Sequence, residues 1–378
     1  MQLDGPVAAS QLRAHELDRR ILRFIECVDA DDAAFERIAL EVFTYQYETN
    51  GPYRRFCDRL GRTPDVVRGW IDVPAIPTSV FAQLRLACFP PERTRQTFVS
   101  SGTTRDARSR LELEDTALYD ASLLAHFRQR VLPDTHAMQL VALAPSFDDA
   151  PSSSLSYMLS KIAQVYGTPD DGFYLRGDEL DFEAVAAALR GAAQPLLVVG
   201  TAFGFVHFFD RCAGAGLRFA LPRGSRVVET GGFKGQSREV GRDELYGWFE
   251  RVLGVPRELC VSEYGMCELG SQWYDANLED AMQGRTPRLH LKVGPHWARA
   301  LIVDRVTGAP RFDDEPGLLQ VLDLSNRGSV ASVLTGDLAR RMDGGFELLG
   351  RAPGEPPKGC SIAVDAALER AAPVERRS

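Results

Sequence analysis

The chain has 378 residues, 44% apolar and 25% charged, enough to bury an ordinary core without disulfide staples. Its net charge of −8, from 44 basic and 52 acidic residues, argues against a nucleic-acid binder, which needs a basic face to release counterions. It leaves anionic small substrates open, because backbone amides can hold a phosphate on a globally acidic protein.

In chain order, Met1 to Pro6 lacks the basic segment and apolar run of a signal peptide, and no later apolar run approaches a membrane span. Leu12, Leu17, Ile21, Leu22 and Ile25, then Phe35, Ile38, Ala39, Val42 and Phe43, recur at helical spacing and predict an amphipathic helical start. Val73-Pro74-Ala75-Ile76-Pro77 breaks it, because proline favours extended neighbours. Thr97 to Val99 reads as a short strand. Asp115 caps a helix running to about Val131. Met138–Ala144, Pro195–Gly200, Arg226–Glu229 and Leu259–Ser262 read as strands, separated by helices over 181–190 and 237–253. That alternation predicts parallel sheets covered by helices. Beyond about residue 288 the helical signal fades. Ala300–Val303, Gly317–Leu322, Ser332–Leu334 and Phe346–Leu349 read as short strands joined by Gly/Asp turns. The cysteines (27, 57, 88, 212, 260, 267 and 360) are odd in number, scattered and without CxxC pairing, as expected of reduced thiols in a cytoplasm. The histidines show no ligand spacing.

Several short motifs suggest chemistry. In Phe98-Val99-Ser100-Ser101-Gly102-Thr103-Thr104 a strand opens into small hydroxyl residues and glycine, which suits a phosphate; the same string also reads as a polar surface turn. It is not a Walker loop, because GxxxxGK[ST] is absent, which weakens a P-loop kinase reading. Glu229-Thr230-Gly231-Gly232-Phe233-Lys234-Gly235 is a glycine-rich strand exit where a flat base can rest, or a plain turn. Glu263-Tyr264-Gly265-Met266-Cys267-Glu268 puts a carboxylate beyond a strand and a tight turn. Glu268 there is either a magnesium ligand or an exposed loop carboxylate. Thr335-Gly336-Asp337 offers an aspartate to ribose hydroxyls, and Gly350-Arg351 an arginine at a strand end. Phe203 to Phe209 is either an acyl or aryl slot or the packing face of a helix.

The order of these motifs resembles the adenylate-forming superfamily of acyl-CoA ligases, adenylation domains and luciferases, over residues 74 to 362. Within it the chain most resembles the acyl-protein synthetase (LuxE) family. That resemblance rests on Val73 to Phe81, on Phe98 to Thr104 with Ser109, and on Gly350-Arg351 leading to Lys358-Gly359-Cys360-Ser361. It implies an α/β fold of the adenylate-forming N-terminal-domain type: parallel sheets covered by helices, a smaller β-rich part and no full C-terminal lid. The expected organisation is a helical preface (1–72), an α/β nucleotide- and acyl-binding core (73–287), a β-rich subdomain (288–352) and a tail (353–378) carrying Cys360. The resemblance assigns Ser100, Ser101, Gly102, Thr103 and Thr104 to the phosphates of ATP. Gly231 and Gly232 border adenine, flanked by Tyr264 with Gly265. Glu268 binds Mg2+, and Asp337 and Arg351 hold ribose. Cys360 takes the acyl group from AMP and hands it to a reductase or carrier partner.

Two departures stand out. Arg105 follows Thr104 where the family continues with glycine, and only 27 residues follow Arg351, where the superfamily usually carries a lid with a lysine at the reacting carboxylate. Lys234, Arg105 and Lys358 are candidates to replace that cation; the loss of one such group costs about 10²–10³ in rate. Cys360 lies nine residues beyond Arg351, within roughly 30 Å of extended chain, and Lys358 favours its thiolate. Its alternative role is to begin a last buried strand. The expected reaction is ATP-dependent activation of a carboxylic acid, of the fatty class, followed by acyl transfer to a thiol. The alternatives are an aromatic-acid adenylase or CoA ligase, and a non-catalytic nucleotide- or acyl-binding protein.

Overall fold

The computed structural model describes residues 5–100, 108–176, 179–230 and 240–352, with side chains from residue 10 onward. These form two compact units that do not follow the chain in order. The first takes the residues up to Ser122, the short segment Cys267–Ser271 and the residues from Gly294. The second takes Leu123–Met266 and Gln272–Val293.

The first unit opens with the expected helices, Gly5–Glu26, Asp32–Thr49 and Gly51–Leu60. Asp31 caps the second by accepting the Ala34 N–H at 2.6 Å. Leu17, Ile21, Phe35, Val42 and Phe43 are all buried, so the helical period marks the inward face. These helices grip one turn of the chain far downstream. Gln46 Nε2 donates to the carbonyls of Asn326 and Arg327 at 3.0 and 3.1 Å, and its Oε1 accepts from Ala331 N–H at 3.0 Å. Arg327 pairs with Asp18. The preface is therefore part of the β-rich unit, not an appendage.

That unit's sheet runs Pro310–Arg311, Ala298–Val303, Gly317–Asp323, Ser332–Met342, Gly345–Arg351, antiparallel throughout. The strands over 332–342 and 345–351 are longer than their apolar cores suggest, because their outer ends alternate in a half-exposed hairpin. Ile76–Pro77, extended by its prolines, adds a parallel partner at Val333 and Leu334. Gln96–Val99 belongs to no large sheet: it pairs antiparallel with Arg110–Leu113 as a separate ribbon.

The second unit is the parallel part. Its strands lie in the order Gly172–Phe173, Gln139–Leu143, Leu196–Thr201, Arg226–Thr230, Cys260–Tyr264, all parallel; Trp273–Asp275 and Leu291–Val293 then continue antiparallel. The strands Gln139–Leu143, Leu196–Thr201, Arg226–Thr230 and Cys260–Tyr264 are buried over almost their whole length, as strands covered on both faces are, although they carry Arg226, Glu229 and Glu263. Phe205, Phe208, Phe209 and Phe249 lie in this unit's core, while Phe203 and His207 are exposed. The run over 203–209 is thus the packing face of helix Ala202–Ala215. The helix expected over 237–253 is described as Arg242–Trp248 followed by a π-turn, Phe249–Leu253. Asp115 caps Ala117–Val131 as expected, accepting the Ala117 N–H at 2.9 Å.

Candidate active site

In the first unit, a chain of polar contacts links residues far apart in sequence. Pairing of Ile76–Pro77 with Val333 and Leu334 sets Thr78 beside Thr335, and the Thr78 hydroxyl donates to the Thr335 carbonyl at 3.4 Å. The ribbon brings Ser100 against Ser109: the Ser109 N–H donates to Ser100 Oγ, and the Ser100 N–H to the Ser109 carbonyl, both at 3.0 Å. The Ser109 hydroxyl lies 3.4 Å from the Thr78 carbonyl and also hydrogen-bonds Glu268. It has one proton, and a carboxylate is the stronger acceptor, so Glu268 takes it.

Glu268 is 5% exposed. Burial pushes its carboxyl above the ordinary value. The Ser109 hydroxyl and the Arg351 charge pull it back, and Asp337 adds to the push. Asp337 and Arg351 sit directly opposite on adjacent strands, with Arg351 Nε 3.3 Å from Asp337 Oδ1. Gly336 turns the chain between Thr335 and Asp337 at φ +78°, a conformation that side chains rarely adopt. The Thr335 hydroxyl anchors that turn, donating to the Leu319 carbonyl at 2.9 Å and accepting the Asp337 N–H at 3.2 Å. Ser100, Ser109, Glu268, Asp337 and Arg351 are therefore brought together within one unit.

This set fits a magnesium–nucleotide. An enclosed carboxylate with a raised pKa is short of positive charge, and the Arg351 side chain is largely exposed and engaged with Asp337. Among the described residues there is no group of three or more His, Cys, Asp or Glu able to hold a metal by protein ligands alone. Magnesium bound with a nucleotide takes one or two protein carboxylates and completes its shell with phosphate oxygens and water.

Tyr264 and Gly265 lie in the second unit. Tyr264 is buried, edge-on to Trp273 with ring centres 6.2 Å apart. A side chain at Gly265 would put its first carbon 2.3 Å from Glu263 Oε1, so a larger residue there must displace that buried carboxyl. Near them lies an acid cluster to which the motif strings assigned no role, although Glu229, Thr230 and Glu263 stand within them. The Thr230 hydroxyl donates to Glu263. Lys292, 1% exposed, reaches Asp275 Oδ1 at 2.9 Å and donates to the Ser262 carbonyl at 2.6 Å. Burial pushes the Glu263 carboxyl up to about 7, against the pull of Thr230 and Lys292, with Glu229 adding to the push. Ser101, Gly102, Thr103, Thr104, Arg105, Gly231, Gly232, Lys234, Lys358 and Cys360 lie outside the described residues.

Ser109, Thr78 and Thr335 were missed as site residues. Thr78 and Ser109 stood within the family-like strings, but nothing local marks a serine as the partner of a glutamate more than a hundred positions away.

The fold matches the open conformation of a 2-hydroxyisobutyryl-CoA ligase, solved with 2-HIB-AMP and CoA, at TM-score 0.63 and 14% identity over 84% of this chain and 70% of that one. The architecture is that of the N-terminal domain of an adenylate-forming ligase. Two curated relatives narrow it. A long-chain-fatty-acid–luciferin-component ligase of Vibrio harveyi is 26% identical over 351 residues, covering 88% of this chain and 87% of the relative. A ligase of the same name from Aliivibrio fischeri is 23% identical over 80% of this chain and 78% of its own length. The chain belongs to the acyl-protein synthetase LuxE family, whose sequence model matches residues 6–369. It is a ligase that activates an acid and transfers the acyl group.

Proposed function

We propose that this ligase activates a long-chain fatty acid with ATP and magnesium, and passes the acyl group through Cys360 to a protein partner. The observation that carries the nucleotide part is the convergence of Glu268, Ser109, Asp337 and Arg351 in one unit. The names of the two curated relatives support the fatty acid. The scattered free thiols support a cytoplasmic setting, and no helix of the described residues is long and apolar enough to cross a membrane.

The reaction is an in-line displacement. An acid carboxylate oxygen attacks the α-phosphorus of ATP, the bond to the bridging oxygen breaks, and pyrophosphate leaves with the electron pair. Both reactants are anionic, so charge compensation is the main task. When bound, magnesium supplies positive charge at the phosphate oxygens. Glu268, whose ionised form the Ser109 hydroxyl favours, would hold that ion. Asp337 accepts hydrogen bonds from ribose hydroxyls, and Arg351, opposite it, closes over the same sugar. Ser100 and the hydroxyl residues after it, through Thr104, donate to the phosphates. Tyr264, with Gly265 and the Gly231–Gly232 pair, borders the base. In the second step the Cys360 thiolate attacks the acyl carbon and AMP leaves; Lys358 favours the thiolate. The helical preface 1–72, core 73–287, β-rich part 288–352 and tail 353–378 describe how these roles are spread along the chain.

The test is ATP–pyrophosphate exchange across fatty and aromatic acids. Exchange dependent on a long-chain acid, and reduced about 10²–10³-fold by Glu268→Ala, is the expected result. Exchange with aromatic acids alone would replace the substrate assignment, and none with any acid would sink the adenylation.

A further inference from the structure

Glu268 sits in a five-residue segment, Cys267–Ser271, that belongs to the first unit although the chain on either side of it belongs to the second. A segment this short has no secondary structure of its own, so its geometry depends on what grips it. The grip comes from the turn that follows strand Gly317–Asp323. Asp323, fully buried, accepts the Gly270 N–H on Oδ2 at 3.0 Å and the Ser271 hydroxyl on Oδ1 at 2.8 Å. Its Oδ1 also accepts the N–H and hydroxyl of Ser325, at 3.0 and 2.6 Å. Asn326, 1% exposed, donates from Nδ2 to the Glu268 carbonyl itself at 2.6 Å, and to the Val330 carbonyl at 3.2 Å. Packing leaves no slack: a side chain at Gly270 would bring its first carbon to 2.4 Å from Ser325 Oγ. Gln46 fixes the Asn326 turn from behind.

A buried carboxylate is costly unless its lone pairs are filled. Asp323 carries that cost and spends two of its hydrogen bonds on the Glu268 segment. An apolar residue would fill the same volume without orienting anything.

We propose that Asp323 and Asn326 are positioning residues that hold Cys267–Ser271 so that the Glu268 carboxylate faces Ser109, Asp337 and Arg351. They touch neither nucleotide nor acid; they act through Glu268. The inference rests on the reading of Glu268 as the magnesium carboxylate.

The test uses the full chain with Asp323→Asn and Asn326→Ala, beside wild type, Glu268→Ala and the Glu268→Ala double variants. ATP binding is measured by calorimetry with magnesium and with EDTA, and backbone hydrogen exchange is followed over 266–272. The expected result is a roughly tenfold or greater loss of affinity for MgATP, with ATP in EDTA unchanged. Exchange over 266–272 is faster, and adding either change to Glu268→Ala gives no further loss. Asn326→Ala keeps Asp323 intact, so one variant remains informative if the other fails to fold. Equal weakening with and without magnesium, or losses that add to that of Glu268→Ala, would overturn the positioning role while leaving the function standing. Magnesium dependence absent already in wild type would remove the reading of Glu268 as the magnesium carboxylate, and the inference with it.

Discussion

At Glu268 burial pushes the carboxyl up, and the Ser109 hydroxyl is the largest pull against it. Ser109→Ala removes the donor and leaves the carboxylate enclosed, a loss worth about 1–3 kcal/mol. The Glu268 pKa is already raised by burial, and without the donor it rises further. With the Glu268 carboxylate as the proposed magnesium ligand, the acid limb of the pH profile for pyrophosphate exchange is expected to move to higher pH. An unmoved limb in Ser109→Ala would show that this hydroxyl does not govern the group. At Gly336 the constraint is the backbone alone. With φ at +78°, Gly336→Ala is expected to lower stability by about 1–2 kcal/mol in denaturant titration and to weaken ATP binding through Asp337.

The two parallel strands ending at Thr230 and Tyr264 deliver buried acid to one place. Glu263 lies against Thr230, Lys292 and Glu229, and its folded-state value of about 7 stands above the ordinary 4.5. Between those values the folded chain binds more protons than the unfolded one, so this group makes stability fall as pH rises, by about 3 kcal/mol in full. Glu263→Gln abolishes the ionisation and can still accept from Thr230. Its melting temperature should exceed that of wild type at pH 8, and the difference should shrink towards pH 5. Equal differences at both values would show that the carboxyl is not held protonated. At the same scale, the short segment Cys267–Ser271 shows how the carboxylate proposed for magnesium can be placed without a helix or strand: a buried acceptor, Asp323, holds the Gly270 N–H, and a buried donor, Asn326, holds the Glu268 carbonyl.

For the whole molecule, the two-step reading separates activation from transfer. Cys360→Ser should leave acid-dependent exchange within about twofold and abolish covalent labelling by the radiolabelled acid. Labelling that persists would move the acceptor to another thiol. Much of this protein was legible in its sequence. The helical start, the alternation of the parallel part and the β-rich end follow from apolar period and turn residues, which are local properties. So do the family strings around Pro74, Ser100, Glu268, Asp337 and Arg351, because their chemistry sits in consecutive residues. The sequence also left the aromatic run over 203–209 open between pocket and core, since a helix face and a binding slot share one spacing; burial of Phe205, Phe208 and Phe209 decided it. Only the tertiary structure could show that the first helices belong with the last strands, that Ser109 serves Glu268, and that Asp323 and Asn326 grip the segment between. These pairings join residues tens to hundreds of positions apart. What brings them together is strand register and the need of each buried polar group for a partner, which no local pattern encodes.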